Sequence, residues 1–249
     1  MTITRAALIV TCPGQPGSDY LDGVNVDARN YRRLLESAHG GSWDMKKEVT
    51  FLQCASPDTV RNSVRWVSQY DYSLIVFSGH GWYSSHDNDT ILELGNDRMP
   101  LSDLRNGSTK RTIIVDCCRV IFNETITETR KYAASLRART SPDPEKCRRL
   151  FLNTVASMPD ELSILYSCSQ DERAGDNATE GGTYTTSLIN AANDWAQNQA
   201  QQPSPNGWLS VVDAHRQAFS NTIRIRPMQN PTIERARSGP YAPFAVFAA

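Results

Sequence analysis

YSLIVFSGHG (residues 72–81) and TIIVDCCR (residues 112–119) decide how this chain is read. In each, an apolar run of strand length stops at residues whose side chains carry chemistry: His80 between two glycines, and Asp116-Cys117-Cys118-Arg119. Runs so apolar, without polar alternation, belong to strands covered on both faces, as in parallel sheets. Ligands of such sheets bind beyond the carboxyl ends of the strands, where these two punctuations fall.

Working outward, the same alternation of strand and helix recurs. Ala6 to Cys12 is a strand closed by Pro13-Gly14. Val26, Tyr31, Leu34 and Leu35 recur at helical spacing until Gly40-Gly41, and Val49 to Cys54 is a second strand. Ser56-Pro57-Asp58 then opens a helix bearing Val60, Val64 and Val67. Leu162 to Cys168 is a fifth strand, Thr185 to Gln199 and Trp208 to Phe219 read as helices, and Pro243 to Phe247 is a last strand. The pattern predicts an α/β fold, a mainly parallel central sheet of about six strands sandwiched by helices. Asn123 to Arg149, polar and broken by Ser141-Pro142-Asp143-Pro144, reads as an exposed linker.

Composition narrows the function classes. The chain has 249 residues, 39% hydrophobic and 21% charged, enough for one folded domain. A formal net charge of -1 supplies no field of one sign, so neither nucleic acid nor a membrane surface is an expected partner. No apolar run reaches the roughly 20 residues of a membrane span. The N-terminus runs straight into a strand pattern without a signal-peptide cleavage site, so a cytoplasmic setting is expected. Six cysteines without CxxC pairs read mostly as buried thiols, Cys12, Cys54, Cys117 and Cys168 among them.

At the strand ends, period-two alternation sends Asp116 and Cys118 to one face and Cys117 to the other. A thiol beside an imidazole can attack a carbonyl carbon while the ring passes the proton to the leaving amine, which is cysteine-protease chemistry. His39, His86 and His215 have no strand-end cysteine after them and read as surface residues.

Ser78-Gly79-His80-Gly81 followed by Asp116-Cys117-Cys118-Arg119 resembles the paired elements of caspases, paracaspases and metacaspases. LDGVNVDA (21–28) is similar to the stretch opening that family's first helix, and GTYTTSL (182–188) to its small-subunit helix. The resemblance implies a caspase-like fold with a p20-like part at about 1–122, the linker at about 123–150 and a p10-like part at about 151–249. It implies His80 as acid/base, Cys118 as nucleophile, and the amides of Gly81 and Cys118 as an oxyanion hole. Where caspases carry a pocket arginine this chain has Leu21. The positions matching the acid-lined pocket of metacaspases and paracaspases are Asp27 and Asp116, with Ser78 beside them, which implies cleavage after Arg or Lys of protein or peptide substrates. The interval from His80 to Cys118 is shorter than the roughly 50 residues of caspases. Many metacaspases need calcium, but Asp87, Asp89, Asp171, Glu172 and Asp176 form no recognisable cation loop, so no cofactor is required and calcium activation stays open without a clear site.

An Arg-selecting protease with a basic linker suggests self-processing at Arg130, Lys131, Arg137 or Arg139, under an upstream activator. The alternative is a catalytically inactive caspase-like scaffold or binding module. A redox role for Cys117-Cys118 is disfavoured, since adjacent strand side chains point apart.

Overall fold

In the computed structural model, which describes residues 3–17, 19–120, 140–235 and 239–249, the chain alternates strand and helix from its start. Elements in order are β1 (Arg5–Cys12), α1 (Asp22–Glu36), β2 (Val49–Gln53), α2 (Pro57–Val67) and β3 (Tyr72–Gly79). A small meander follows, β4 (Gly81–Ser84), β5 (Asp89–Leu94) and β6 (Asp97–Pro100), then a 3-10 turn at Leu101–Asn106 and β7 (Lys110–Asp116). After it come α3 (Pro144–Ser157), β8 (Glu161–Tyr166), α4 (Thr183–Gln199), β9 (Asn206–Ser210), α5 (Val211–Ile225), β10 (Thr232–Glu234) and β11 (Pro243–Ala248).

Six strands form the central sheet in the order β10-β8-β7-β3-β1-β2, parallel throughout except for antiparallel β10. The α/β reading of the sequence is thus what the chain builds. Alternation along each strand feeds two cores. Ala7 and Ile9 pack with Val76 and Ile114 under α1, α3, α4 and α5. Ala6, Leu8 and Val10 pack with Phe77 and Val115 against α2 and β5. With apolar side chains on both faces, central strands have no solvated side, which is why their sequences lack polar alternation.

Several elements depart from the sequence reading. The last strand, β11, leaves the central sheet to pair with β9 as a separate ribbon, and the sixth central strand is the short β10. Trp208 lies in β9, and the helix expected from it starts only at Val211, where Ser210 caps by accepting from the Asp213 amide. The expected linker overlaps a helix: Asp143 accepts from the Lys146 amide and Pro144 takes the first helical turn, so residues 144–149 belong to α3 and Cys147 is fully buried. His215 is buried, with Nδ1 against the Tyr184 hydroxyl at 2.7 Å. Burial pushes its pKa down to about 4, which keeps it neutral.

Cys12 and Cys54 are not thiols but a disulfide, with Cα atoms 4.6 Å apart. The parallel register Thr11↔Gln53 carries both residues side by side at the ends of β1 and β2, a proximity that sequence spacing conceals. Closing a loop of this span stabilises by about 4 kcal/mol at most in the loop-entropy account. Cys54 is exposed, so Cys54→Ser should lower Tm chiefly through loss of the bond. Calorimetry should give wild type in reductant the same Tm as this variant; a wild-type Tm indifferent to reductant contradicts the pairing.

Candidate active site

The site begins with the pairing of β3 and β7, in which Ser78 stands opposite Asp116. Gly79-His80 and Cys117-Cys118 therefore leave the sheet as neighbours. Asp116 points toward α1 and α4, while Cys117 turns the other way into the core under α2, where burial raises its thiol pKa. A Cβ at Gly81 would lie 2.8 Å from Cys117 Sγ and 2.8 Å from the Ile91 carbonyl, so only glycine lets the chain after His80 cross this close. Cys118, half-buried, returns to the side of Asp116. Its Sγ lies 3.7 Å from the Ala174 carbonyl, and burial raises its pKa, so the resting group is a thiol.

His80 Nε2 is 2.6 Å from the backbone carbonyl of Asp19. A carbonyl only accepts, so Nε2 carries the proton and a neutral ring keeps its lone pair on Nδ1. The loop after β1 lies against the ring: a Cβ on Gly14, at φ +91°, would sit 3.0 Å from Nε2. This side-on support fixes the ring from a segment whose side chains give no hint of it.

Beside the thiol is a buried pair of acids. Ser78 Oγ donates to Asp27 Oδ2 at 2.6 Å and the Gly182 amide to Asp27 Oδ1 at 2.9 Å. The Thr185 amide and hydroxyl donate to Asp116 Oδ2 at 3.0 and 2.7 Å. Gly182 sits between the two carboxylates, with no room for a side chain. Burial, and then the charge of Asp116, drives Asp27 well above the usual carboxylate range. Burial likewise raises Asp116, with Asp176 adding to it. Asp176, held by the Gly23 amide at 3.2 Å, is a third acid within reach of the pair, and burial raises it too. Like charges this confined favour retaining protons.

The structure thus brings Asp27, Ser78 and Asp116 together and sets Cys118 on the same face with His80 on the neighbouring strand end. Arg130, Lys131, Arg137 and Arg139 lie outside the described residues. Sequence reasoning did not single out the Asp19 and Ala174 carbonyls, which as backbone groups carry no residue signature. It also passed over Thr185, although that residue lies within the quoted 182–188 stretch. Asp176 was noted only as one acid among several. Those acids are spoken for separately: Asp87 by the Ser84 hydroxyl, Asp89 by the Thr90 and Ser102 amides, Glu172 by Ser169 and Asn230. Among the described residues no group of three or more His, Cys, Asp or Glu side chains is arranged to hold a metal ion, and no helix is long and apolar enough to cross a membrane.

A helix-covered parallel sheet with a thiol and an imidazole at adjacent strand ends defines the class of caspase-like cysteine peptidases. The chain matches the caspase domain family of peptidases over residues 4–239, and it belongs to that family. Comparison with curated proteins gave no match.

The buried acids make a stability prediction. Asp27 has a folded pKa above its unfolded value of about 4, so the folded state holds its proton more tightly. Its stabilising contribution is present at acid pH and is lost as pH rises from about 4 through the raised value. Asp27→Asn removes that charge while keeping the shape. Its Tm should exceed that of wild type at pH 7, by about 2–4 °C per kcal/mol relieved, with the gap closing toward pH 4. A wild type that gains on the variant as pH rises contradicts the buried-charge account.

Proposed function

We propose that the protein is a cysteine endopeptidase that cleaves after Arg or Lys, with Cys118 as nucleophile and His80 as acid/base. The observation that supports this most is the carboxylate pair Asp27 and Asp116 on the face to which Cys118 returns. A cationic side chain on a bound peptide meets acids there, with Ser78 at their side. A guanidinium satisfies two carboxylates with several donors at once, which a neutral side chain cannot do.

The reaction follows from the groups in place. Cys118 Sγ attacks the substrate carbonyl carbon as its proton passes to His80 Nδ1, the nitrogen that the Asp19 carbonyl leaves unprotonated. Negative charge gathers on the substrate oxygen, where the amides of Gly81 and Cys118 are the proposed donors. Collapse breaks the C–N bond, with His80 returning the proton to the leaving amine. Water, deprotonated by the same ring, then hydrolyses the thioester and restores the thiol. No metal or cofactor enters these steps. Because burial makes the acids hold their protons more tightly, binding of an Arg side chain is linked to proton release; KM for Arg substrates should fall as pH rises, and KM for uncharged substrates should not.

The chain is proposed to act as one peptidase domain whose linker it cuts itself, at the basic residues named above, on instruction from an upstream activator. The Cys12–Cys54 bond, of a kind that persists in oxidising surroundings, counts against the cytoplasmic setting expected from the sequence.

Fluorogenic peptides ending in Arg, Lys or Asp test this reading. Arg and Lys peptides should be cleaved and the Asp peptide spared. Cys118→Ala and His80→Ala should each reduce kcat/KM at least about a hundredfold. Asp27→Asn should weaken selection of Arg by about 30-fold or more. Preference for Asp, or activity surviving Cys118→Ala, overturns it, and a folded wild type inert toward every peptide favours the inactive scaffold. On prolonged incubation wild type should break into two fragments and Cys118→Ala should stay whole; identical intact bands rule out self-processing.

A further inference from the structure

The strand that follows His80 is also the open edge of a sheet. β4 begins at Gly81, and in the three-stranded order β4-β5-β6 it pairs on one side only. The register sets Gly81 against Leu92 and Trp82 against Ile91, and the Glu93 amide donates to the His80 carbonyl at 3.0 Å. Hydrogen-bonded and non-hydrogen-bonded pairs alternate along an antiparallel ladder. His80 and Trp82 therefore turn their backbone groups toward β5, while Gly81 and Tyr83 turn theirs outward. Among the described residues no backbone group meets the amide or carbonyl of Gly81 or Tyr83 on that outer side. An edge left open in this way is a template for another extended chain.

The side chains of β4 sort its two faces. A Cβ on Gly81 would lie 2.8 Å from Cys117 Sγ, so Gly81 and, by alternation, Tyr83 look toward the packed side, where Cys117 and Thr90 are buried. Trp82 looks the other way, to the side of Cys118. Its ring is half-buried and lies 5.7 Å from the Arg98 guanidinium. Glu93 stands opposite Arg98 in the β5–β6 register, so the charge beside the indole is balanced.

We propose that the open edge of β4 binds the part of the substrate that follows the cut, as an added parallel strand, and that Trp82 selects an aromatic side chain at its second residue. The inference rests on the peptidase reading of His80, Cys118 and Gly81. In that reading the Gly81 amide faces the carbonyl oxygen of the bond to be cut, and the residue before the cut reaches Asp27 and Asp116, level with Ser78. The chain beyond the cut has the other direction left to it, from Gly81 toward Ser84, which is the direction in which β4 runs. In a parallel pair the amide and carbonyl of one residue bond to two residues that flank its partner. With the Gly81 amide on the carbonyl before the cut, the Gly81 carbonyl accepts from the amide of the second residue after it. The Tyr83 amide then donates to the carbonyl of that same second residue. This residue is level with Trp82 and shares its face, so its side chain lies beside the indole. An aromatic ring gains most there, and the balanced charge of Arg98 gives an acidic side chain no advantage.

A coumarin amide of an Arg peptide carries no residue beyond the cut, so its hydrolysis tests the peptidase reading alone. Internally quenched peptides that share its sequence and continue past Arg with Gly-Gly, Gly-Phe or Gly-(N-methyl)Phe test the edge. The Gly-Phe peptide should exceed Gly-Gly in kcat/KM severalfold, up to about tenfold. N-methylation should abolish that advantage, because it removes the amide that meets the Gly81 carbonyl. Within the Trp82→Ala variant the advantage of Phe over Gly should vanish, and within Trp82→Phe, which keeps a ring, it should persist. A cleaved coumarin peptide with equal kcat/KM for all three extended peptides overturns the added strand and leaves the peptidase reading standing. A Phe advantage that survives N-methylation also overturns the strand, and one that survives Trp82→Ala overturns selection by Trp82. A coumarin peptide left whole overturns the peptidase reading and this proposal with it.

Discussion

Parallel pairing of β3 with β7, in the register that sets Ser78 against Asp116, is the constraint from which the site follows. One residue of slip would send every side chain beyond that point to the other face. Asp116 would then enter the core now filled by Cys117, and Cys118 would lose the side it shares with the acids. The register is held by two unlike cores, one under α1 and α4 and one under α2 and β5, which the apolar side chains of β3 and β7 can satisfy in only one way once the helices are fixed. Chemistry at the strand ends is thus positioned by packing several residues away.

That precision is offset by a local electrostatic cost. Asp27 and Asp116 are buried together, and their hydrogen bonds from Ser78, Gly182 and Thr185 only partly relieve burial and mutual repulsion. Both carboxylates accept amides at the start of α4, from Gly182 and Thr185, but a neutral acceptor could do the same without a buried charge. Such a place is where a sequence favours a ligand over stability. Glycines at 181 and 182 make the same choice in backbone form, since a side chain at either would collide with the acids.

What the sequence disclosed and what it hid divide along physical lines. β1, β3, β7 and β8 were legible because strands buried on both faces leave uninterrupted apolar runs, and the face shared by Asp116 and Cys118 follows from period-two geometry alone. Non-local facts were hidden. Pro243 to Phe247 is as apolar as any central strand, and only the meeting with β9 places it outside the sheet. Cys12 and Cys54 look like core thiols until two parallel strands end together. The Asp19 carbonyl that orients His80 has no side-chain signature, and His215 reads as a surface residue until Tyr184 is seen to cover it. Asp143-Pro144 could have been read as a helix start, since a capping aspartate followed by proline is a local signal, but the polar stretch before it obscured the boundary.

The account rests on one thiol facing one acid-lined opening. Incubation of the intact protein with a peptidyl-arginine acyloxymethyl ketone and with its aspartate counterpart, followed by peptide mapping, probes both at once. The arginine reagent should add a single equivalent, located on Cys118, and the aspartate reagent should leave the protein unlabelled. Labelling that ignores the charge of the reagent, or that falls on any other cysteine, would contradict it.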